Sequence, residues 1–331
     1  MKTGKVICVL LLILLITGLS ACGKAKSTNG MTKVTLNEVA HSIFYAPMYV
    51  AIEEGYFEEY KIDLELVTGF GADKTMTALL TGEADIGFMG SESSIYTYAN
   101  GAKDYAVNFA QLTQRAGNFL VVREKIDNFE WKDLIGKNVL GGRAGGMPEM
   151  VFEYILKQNG IKPSEVKIDQ SIDFGATAAA FSGNIGDYTV EFEPHATLLE
   201  EQGKGVVVAS LGEASGYVPY TAFCALKSYM EDHEDIIQSF TNALQKGIDY
   251  VNSHTPEQIA KIIAPQFDGT SVDTIATIVE RYHKQDTWKE NLVFEEDAFL
   301  ILQNILTDAG VLEKEVPYDK LVTVKYAENA E

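Results

Sequence analysis

Short apolar runs and amphipathic stretches take turns along the chain from residue 34 to about residue 210. Residues 34–39 predict a strand. Residues 47–54 predict a helix, with Pro47 suited to its first turn. Residues 62–67 alternate as a strand, and 73–80 predict a helix closed by Gly82. Then follow a strand over 84–89, a helix over 91–100, and strands over 107–113 and 118–123. This alternation predicts an α/β fold with a largely parallel sheet.

The middle of the chain repeats the plan. Strands are predicted over 139–141, 166–169, 188–193 and 206–210, with helices over 148–158 and 175–181. A shift of 101 residues lays Pro47 on Pro148 and Val50 on Val151. The same shift lays 78–82 on 179–183. One offset serving separated segments predicts two related lobes. A return strand is expected over 217–226. After it, residues 231–253, 256–263, 271–282 and 295–309 carry apolar positions three and four apart. These helices are expected to pack on the first lobe. The predicted limits are 33–114 and 222–331 for lobe 1, and 115–221 for lobe 2. Two crossings, near 113–117 and 215–222, would hinge a cleft that opens and closes.

Composition narrows the function. Formal charge is −20, becoming −22 without Lys2 and Lys5, and no Lys/Arg-rich run occurs, which argues against nucleic acid as a partner. The amino terminus has the layout of a secretory signal, residues 1–21: basic Lys2 and Lys5, an apolar run over 6–16, then Leu19-Ser20-Ala21-Cys22. Small residues directly before a cysteine resemble a bacterial lipobox. Cys22 would then be lipidated, with 22–32 as a flexible tether. The apolar run is shorter than the about 20 residues a spanning helix needs. Cys8 would leave with the signal, so Cys224 alone remains in an apolar run, as a buried core thiol.

At three places the residues resemble a known family. The run from His41 to Phe57 resembles the opening of substrate-binding proteins of ABC importers for nitrate, sulfonates and thiamine pyrimidine precursors. Residues 80–87, LTGEADIG, with the turn Met89-Gly90-Ser91, carry the second signature, and 136–142, GKNVLGG, resembles the opening of the second lobe. The resemblance covers about residues 33 to 315. It implies a two-lobed periplasmic-binding-protein-like fold, each lobe a mostly parallel sheet flanked by helices, with a two-strand hinge. It also implies a small-molecule solute, and a permease and an ATPase as separate chains. The family includes enzymes that form the thiamine pyrimidine with a cysteine-rich motif; this sequence has no such motif. A sensor lipoprotein on the same lobes is the other alternative.

Ligands of doubly wound lobes sit beyond the carboxyl ends of strands, at helix N-termini. Three such turns follow from the pattern: His41 to Met48, with Phe44, Tyr45 and Ala46; Gly90-Ser91-Glu92; and Arg143-Ala144-Gly145-Gly146-Met147. Free N–H groups and the helix dipole suit an anion or a strong acceptor there. Arg143 is a candidate for a bidentate grip on a sulfonate or carboxylate. Glu191 and Glu193 would prefer an amine, amidine or aminopyrimidine, and alternation would put both on one side of a strand. Tyr45, Tyr188 and Tyr217 are candidates for stacking, with Tyr49 expected inside its helix. Gln111 and Thr113, ending a strand before the first hinge, are polar candidates.

Catalytic and metal motifs are missing from the pattern. The histidines at 41, 195, 233, 254 and 283 show no H-E-x-x-H spacing. The glycines of 141–146 match neither G-x-G-x-x-G nor a P-loop, and Ser91 does not stand in G-x-S-x-G and reads as an N-cap. The expectation is a monomeric, extracytoplasmic, lipid-anchored solute-binding protein, with no cofactor and no enzymatic role. Its ligand would be a nitrogenous heterocycle, with an alkylsulfonate or taurine as the alternative.

Overall fold

A computed structural model describes residues 30–172 and 174–331. The signal, the lipobox with Cys22 and most of the tether lie outside the described residues.

The first sheet is built from β1 (Thr32–Glu38), β2 (Ile62–Thr68), β3 (Ile86–Gly90), β4 (Ala106–Thr113) and β10 (Thr221–Leu226), in the order β2-β1-β3-β10-β4. The second holds β5 (Asn118–Val122), β6 (Asn138–Leu140), β7 (Lys167–Asp169), β8 (Tyr188–Phe192) and β9 (Val206–Ser210), in the order β7-β6-β8-β5-β9. Both sheets are mixed, a refinement of the expected parallel pattern. β10 runs antiparallel to β3 and β4, and β5 runs antiparallel to β8 and β9. Each antiparallel strand is the first that the chain makes on entering that sheet from the other. β3, β4, β5 and β8 are buried along their whole length; β3 and β5 show this as near-continuous apolar runs, while β4 and β8 also bury Asn108, Gln111, Thr189 and Glu191.

The offset of 101 residues is visible in three dimensions. α1 (Ala46–Glu53) and α2 (Ala72–Thr81) of the first half match α4 (Met147–Gln158) and α5 (Thr177–Ser182) of the second. α3 (Glu92–Ala99) follows β3 in the first half. Pro47 and Pro148 both stand in first helical turns, where the missing N–H leaves no bond unmade. Gly82 closes α2 at φ 74°.

The crossings run side by side. Val218 N–H donates to Gln114 O (2.9 Å), and Tyr220 N–H donates to Thr113 O (3.2 Å). The Tyr220 hydroxyl donates to Asn118 Oδ1 at 2.6 Å. The irregular stretch 216–220 takes the first part of the predicted return strand, so β10 starts only at Thr221.

The C-terminal helices are α6 (Glu234–Ser253), α7 (Pro256–Ile263), α8 (Val272–Lys284) and α9 (Glu296–Asp308). α6 and α7 pack on α1, as expected. α8 and α9 also reach the second lobe. The Tyr282 hydroxyl donates to Gly117 O at 2.9 Å, and Lys157 Nζ donates to Asp308 O at 2.7 Å. Trp288 ties the hinge to the first lobe, its Nε1–H donating to Phe44 O at 2.8 Å. Cys224 is buried within β10, where burial pushes its thiol up to about 12. None of the described helices is long and apolar enough to cross a membrane.

Candidate functional site

Between the lobes lies a cleft of about 370 Å³. It opens where the strands of both sheets end and helices begin. Of the residues singled out in the sequence, His41, Tyr45, Gly90, Glu92, Arg143, Gly146, Met147 and Glu193 line it.

Glu92 begins α3 and is 2% exposed. A side chain at position 90 would collide with its carboxylate, so Gly90 makes room for it. Its Oε2 has no hydrogen-bond partner among the described residues. Burial pushes its carboxyl up to about 7, while the backbone N–H groups of Glu92 and Met147 and the charge of Arg143 pull the other way. A buried acceptor left open is costly, and this one lies on the cleft wall.

Glu193 lies past the last rung of β8 and is 1% exposed. It is fully engaged. Arg281 Nη1 stands 2.6 Å from Oε1, Thr197 N–H donates to Oε2 at 2.9 Å, and the Thr197 hydroxyl donates to Oε1 at 3.0 Å. Burial still raises its carboxyl, against the charge of Arg281. Its backbone carbonyl accepts the Ser42 hydroxyl at 2.6 Å, a bond from one lobe to the other.

His41 is pinned between acceptors. Nδ1 stands 2.8 Å from Glu38 Oε1, and Nε2 stands 2.7 Å from Gln266 O. The carbonyl can only accept, so Nε2 carries hydrogen, and a carboxylate at Nδ1 favours the imidazolium. Burial works to lower the imidazole, but Glu38 and Gln266 outweigh it and the net shift is upward. Glu38 is fully buried and also accepts from the hydroxyls of Tyr49 (2.6 Å) and Thr68 (2.8 Å). The ring is held by structure, with an edge on the cleft.

Tyr45 packs edge-on to Phe88 with centroids 4.4 Å apart, and burial beside Glu38 and Glu92 pushes its phenol well up. Arg143 stands on the rim, about half exposed, with Nη2 3.7 Å from Asp73 Oδ1 across the lobes. The Tyr96 hydroxyl makes a second cross-lobe bond nearby, donating to Gly145 O at 3.1 Å.

The other candidates sit away from the cleft lining. Phe44 fills the core between the lobes, against Phe192, Tyr220 and Tyr282. Ala46 and Met48 are buried in α1, because that helix is apolar on every side but its last turn. Ser91 is buried; its hydroxyl makes no cap bond and donates to Pro219 O at 3.5 Å. Ala144 and Gly145 lie on the turn outside the lining, and Gly145 N–H donates to Glu149 Oε2 at 3.2 Å. Gln111 donates back to Thr113 O at 3.0 Å, and Thr113 Oγ1 meets Thr221 Oγ1 at 2.5 Å. Tyr188 is at the amino end of β8, far along the strand from the ends that face the cleft. Glu191 does not share a side with a ligand-facing Glu193. It accepts the Thr189 hydroxyl at 2.6 Å inside the second lobe, and burial pushes it to about 7. The strand stops at Phe192, so alternation cannot carry on to Glu193. Tyr217 is 54% exposed, its hydroxyl donating to Asp286 Oδ2 at 2.5 Å under the guanidinium of Arg115.

Ser42, within the first chosen turn, also lines the cleft, and residues outside the three turns complete it, among them Phe70, Gly71, His195, Tyr220 and Thr221. Gly71 and Phe70 lie on a strand-to-helix turn of the same kind as the three chosen, so the same rule reaches them. His195 is held low by burial. Among the described residues no cluster of His, Cys, Asp and Glu is placed to hold a metal.

Known proteins agree with this architecture. YtlA of Bacillus subtilis (strain 168), described as a binding protein, is 46% identical over 317 residues, 96% of this chain and 94% of its own. The ligand-binding component of an ABC-type import system from Staphylococcus aureus, with zinc bound, superposes with a TM-score of 0.72 at 17% identity, covering 90% of this chain and 99% of that one. The alkanesulfonate-binding protein of Xanthomonas axonopodis pv. citri, bound to MOPS, does so with a TM-score of 0.72 at 16% identity, covering 88% and 98%. At those identities the likeness speaks for the fold, a two-lobed periplasmic-binding-protein fold. The model of the family described as NMT1/THI5 like matches residues 43–259, and the chain belongs to that family.

Proposed function

We propose that this protein is an extracytoplasmic solute-binding lipoprotein, anchored through Cys22, which captures a small polar organic solute and delivers it to an ABC import permease. The lobe limits of 33–114 with 222–331, and 115–221, belong to this reading. So does an action without catalysis, as a monomer. Binding-protein descriptions of YtlA and of the Staphylococcus aureus component support the solute-binding role.

One observation carries the choice of ligand class: the buried, unpartnered Glu92 Oε2 on the cleft wall. An N–H donor of an aminopyrimidine or a similar nitrogenous heterocycle would complete it. A sulfonate would meet that carboxylate with like charge, and Arg143, the cation that would welcome it, already leans to Asp73. An alkylsulfonate remains the second reading, favoured by Arg143 on the rim and by the MOPS-bound neighbour.

A thermal-shift screen of the mature protein tests this, with aminopyrimidines, thiamine, flavins, taurine, other sulfonates and nitrate. Ligand at a hundredfold over its dissociation constant adds about 2.7 kcal/mol. An aminopyrimidine is expected to raise the melting temperature, and Glu92→Gln to remove the rise. A rise with sulfonates alone, lost in Arg143→Ala, overturns the heterocycle.

A further inference from the structure

We propose that Phe70 is the aromatic face on which the ring of the captured solute packs, so that the cleft selects flat unsaturated heterocycles over saturated solutes of equal polarity. This rests on the reading of Glu92 as the acceptor at a solute site.

Phe70 stands in the turn between β2 and α2 and lines the cleft. It is 72% exposed, far more than the other phenylalanines of the cleft and its surroundings. It also adopts φ 56°, a left-handed conformation that a bulky side chain rarely takes. Among the described residues its ring stacks on no other aromatic.

The turn cannot easily relax. Gly69 N–H donates to Glu38 O at 2.8 Å and Gly71 N–H donates to Val39 O at 3.0 Å, so the backbone is tied on both sides of Phe70. A Cβ on Gly69 would lie 2.5 Å from Asn37 Oδ1 and 2.6 Å from Thr75 Oγ1. Gly71 sits at φ 145°, open to glycine alone in practice. The two glycines and the two bonds therefore hold a large apolar ring out in solvent, in an unfavourable backbone conformation. A single exposed apolar residue is ordinary, but one held in a strained left-handed conformation on a cleft lining points to a functional constraint.

Geometry selects the occupant. Asp73, three residues on, meets Arg143 of the second lobe at 3.7 Å, so the turn that carries Phe70 is linked to the turn that carries Arg143. Gly146, Met147 and Pro148 line the same cavity. Glu92, 2% exposed, and Phe70, 72% exposed, line the same cavity, so one solute can meet the carboxylate with a donor edge and the ring with its face. Edge recognition at the floor and face recognition at the mouth suit a planar heterocycle with exocyclic N–H groups.

The test is isothermal titration calorimetry with 4-amino-2,5-dimethylpyrimidine and with taurine, on wild type, Phe70→Leu, Phe70→Ala, Phe70→Trp and Glu92→Gln. The pyrimidine is expected to bind wild type. Phe70→Leu, apolar and of like size, should weaken it roughly tenfold and Phe70→Ala at least as much, the scale of losing one aromatic stack. Phe70→Trp should keep affinity within about threefold, and the introduced indole should be quenched at saturation. Melting curves of the unliganded Phe70 variants should match wild type, and Glu92→Gln should melt no lower than wild type, which separates loss of binding from loss of fold. Equal pyrimidine affinity in wild type and Phe70→Ala, with loss in Glu92→Gln, overturns the role of Phe70 and leaves the proposed site standing. Binding of taurine and not of the pyrimidine, or of neither, overturns both.

Discussion

Glu92 and Glu193 stand 101 residues apart, at the same place in the two halves of the repeat, and both reach the cleft almost wholly buried. Glu193, on the second lobe, is met by Arg281 of α8 from the first lobe's C-terminal helices and by two donors from Thr197. The first lobe leaves an oxygen of its own without a partner. The same residue type in the same position has thus been put to different uses. Glu193, with its carbonyl holding Ser42, joins lobe to lobe. Glu92 keeps an open oxygen on the cleft wall. Burial alone does not single out a ligand contact; a buried open acceptor that also lines the cleft makes a sharper candidate.

The sharpest way to break this contrast is to unpair Glu193. Arg281→Ala leaves a buried carboxylate with no cation and is expected to cost about 4 kcal/mol in a denaturant melt at pH 7. A loss below about 1 kcal/mol would show that Glu193 is not a structural anchor. Glu92 should behave in the opposite way. Its folded value of about 7 lies above the unfolded value of about 4.3, so its contribution is fully present below about pH 4 and is lost as pH rises through about 7. Glu92→Gln should therefore be more stable than wild type by about 3 kcal/mol at pH 8, with the gap narrowing to about 1 kcal/mol at pH 5 and closing near pH 4. Glu149 and Glu191, pushed the same way by burial, are common to both proteins, so the difference isolates position 92. Parallel stability curves from pH 5 to 8 would sink the idea. The smallest effect is expected at Tyr217→Phe, which removes an exposed hydroxyl bond to Asp286: under about 0.5 kcal/mol, with ligand affinity unchanged. A change of affinity there would extend the site to the hinge surface.

The sequence made the architecture legible where burial imposes a pattern. Continuous apolar runs such as 86–90 and 118–122 are strands buried on both faces, and the 101-residue offset follows from two halves solving one packing problem. Strand direction was not legible. Nothing in 118–122 or 221–226 tells a parallel neighbour from an antiparallel one, and both proved antiparallel. The site was legible as turns beyond strand ends, which located Gly90, Glu92, Arg143 and Gly146. Individual side chains were not, because facing depends on where a strand stops. β8 ends at Phe192, so period-two reasoning failed between Glu191 and Glu193. Tyr220 and Thr221 come to the cleft from far along the chain, on the return crossing, and no local pattern announces them.

The strand order has a consequence for how the polypeptide is made. β10 lies between β3 and β4, yet it leaves the ribosome more than a hundred residues after either. β5 to β9, by contrast, form a contiguous block. The inner lobe has all its strands while the outer one still waits for its middle rung, so β3 and β4 must remain unjoined through the synthesis of everything between them. A nascent chain halted before residue 221 would carry one finished half and one open half whose β3 and β4 edges, waiting for β10, are templates for wrong pairing.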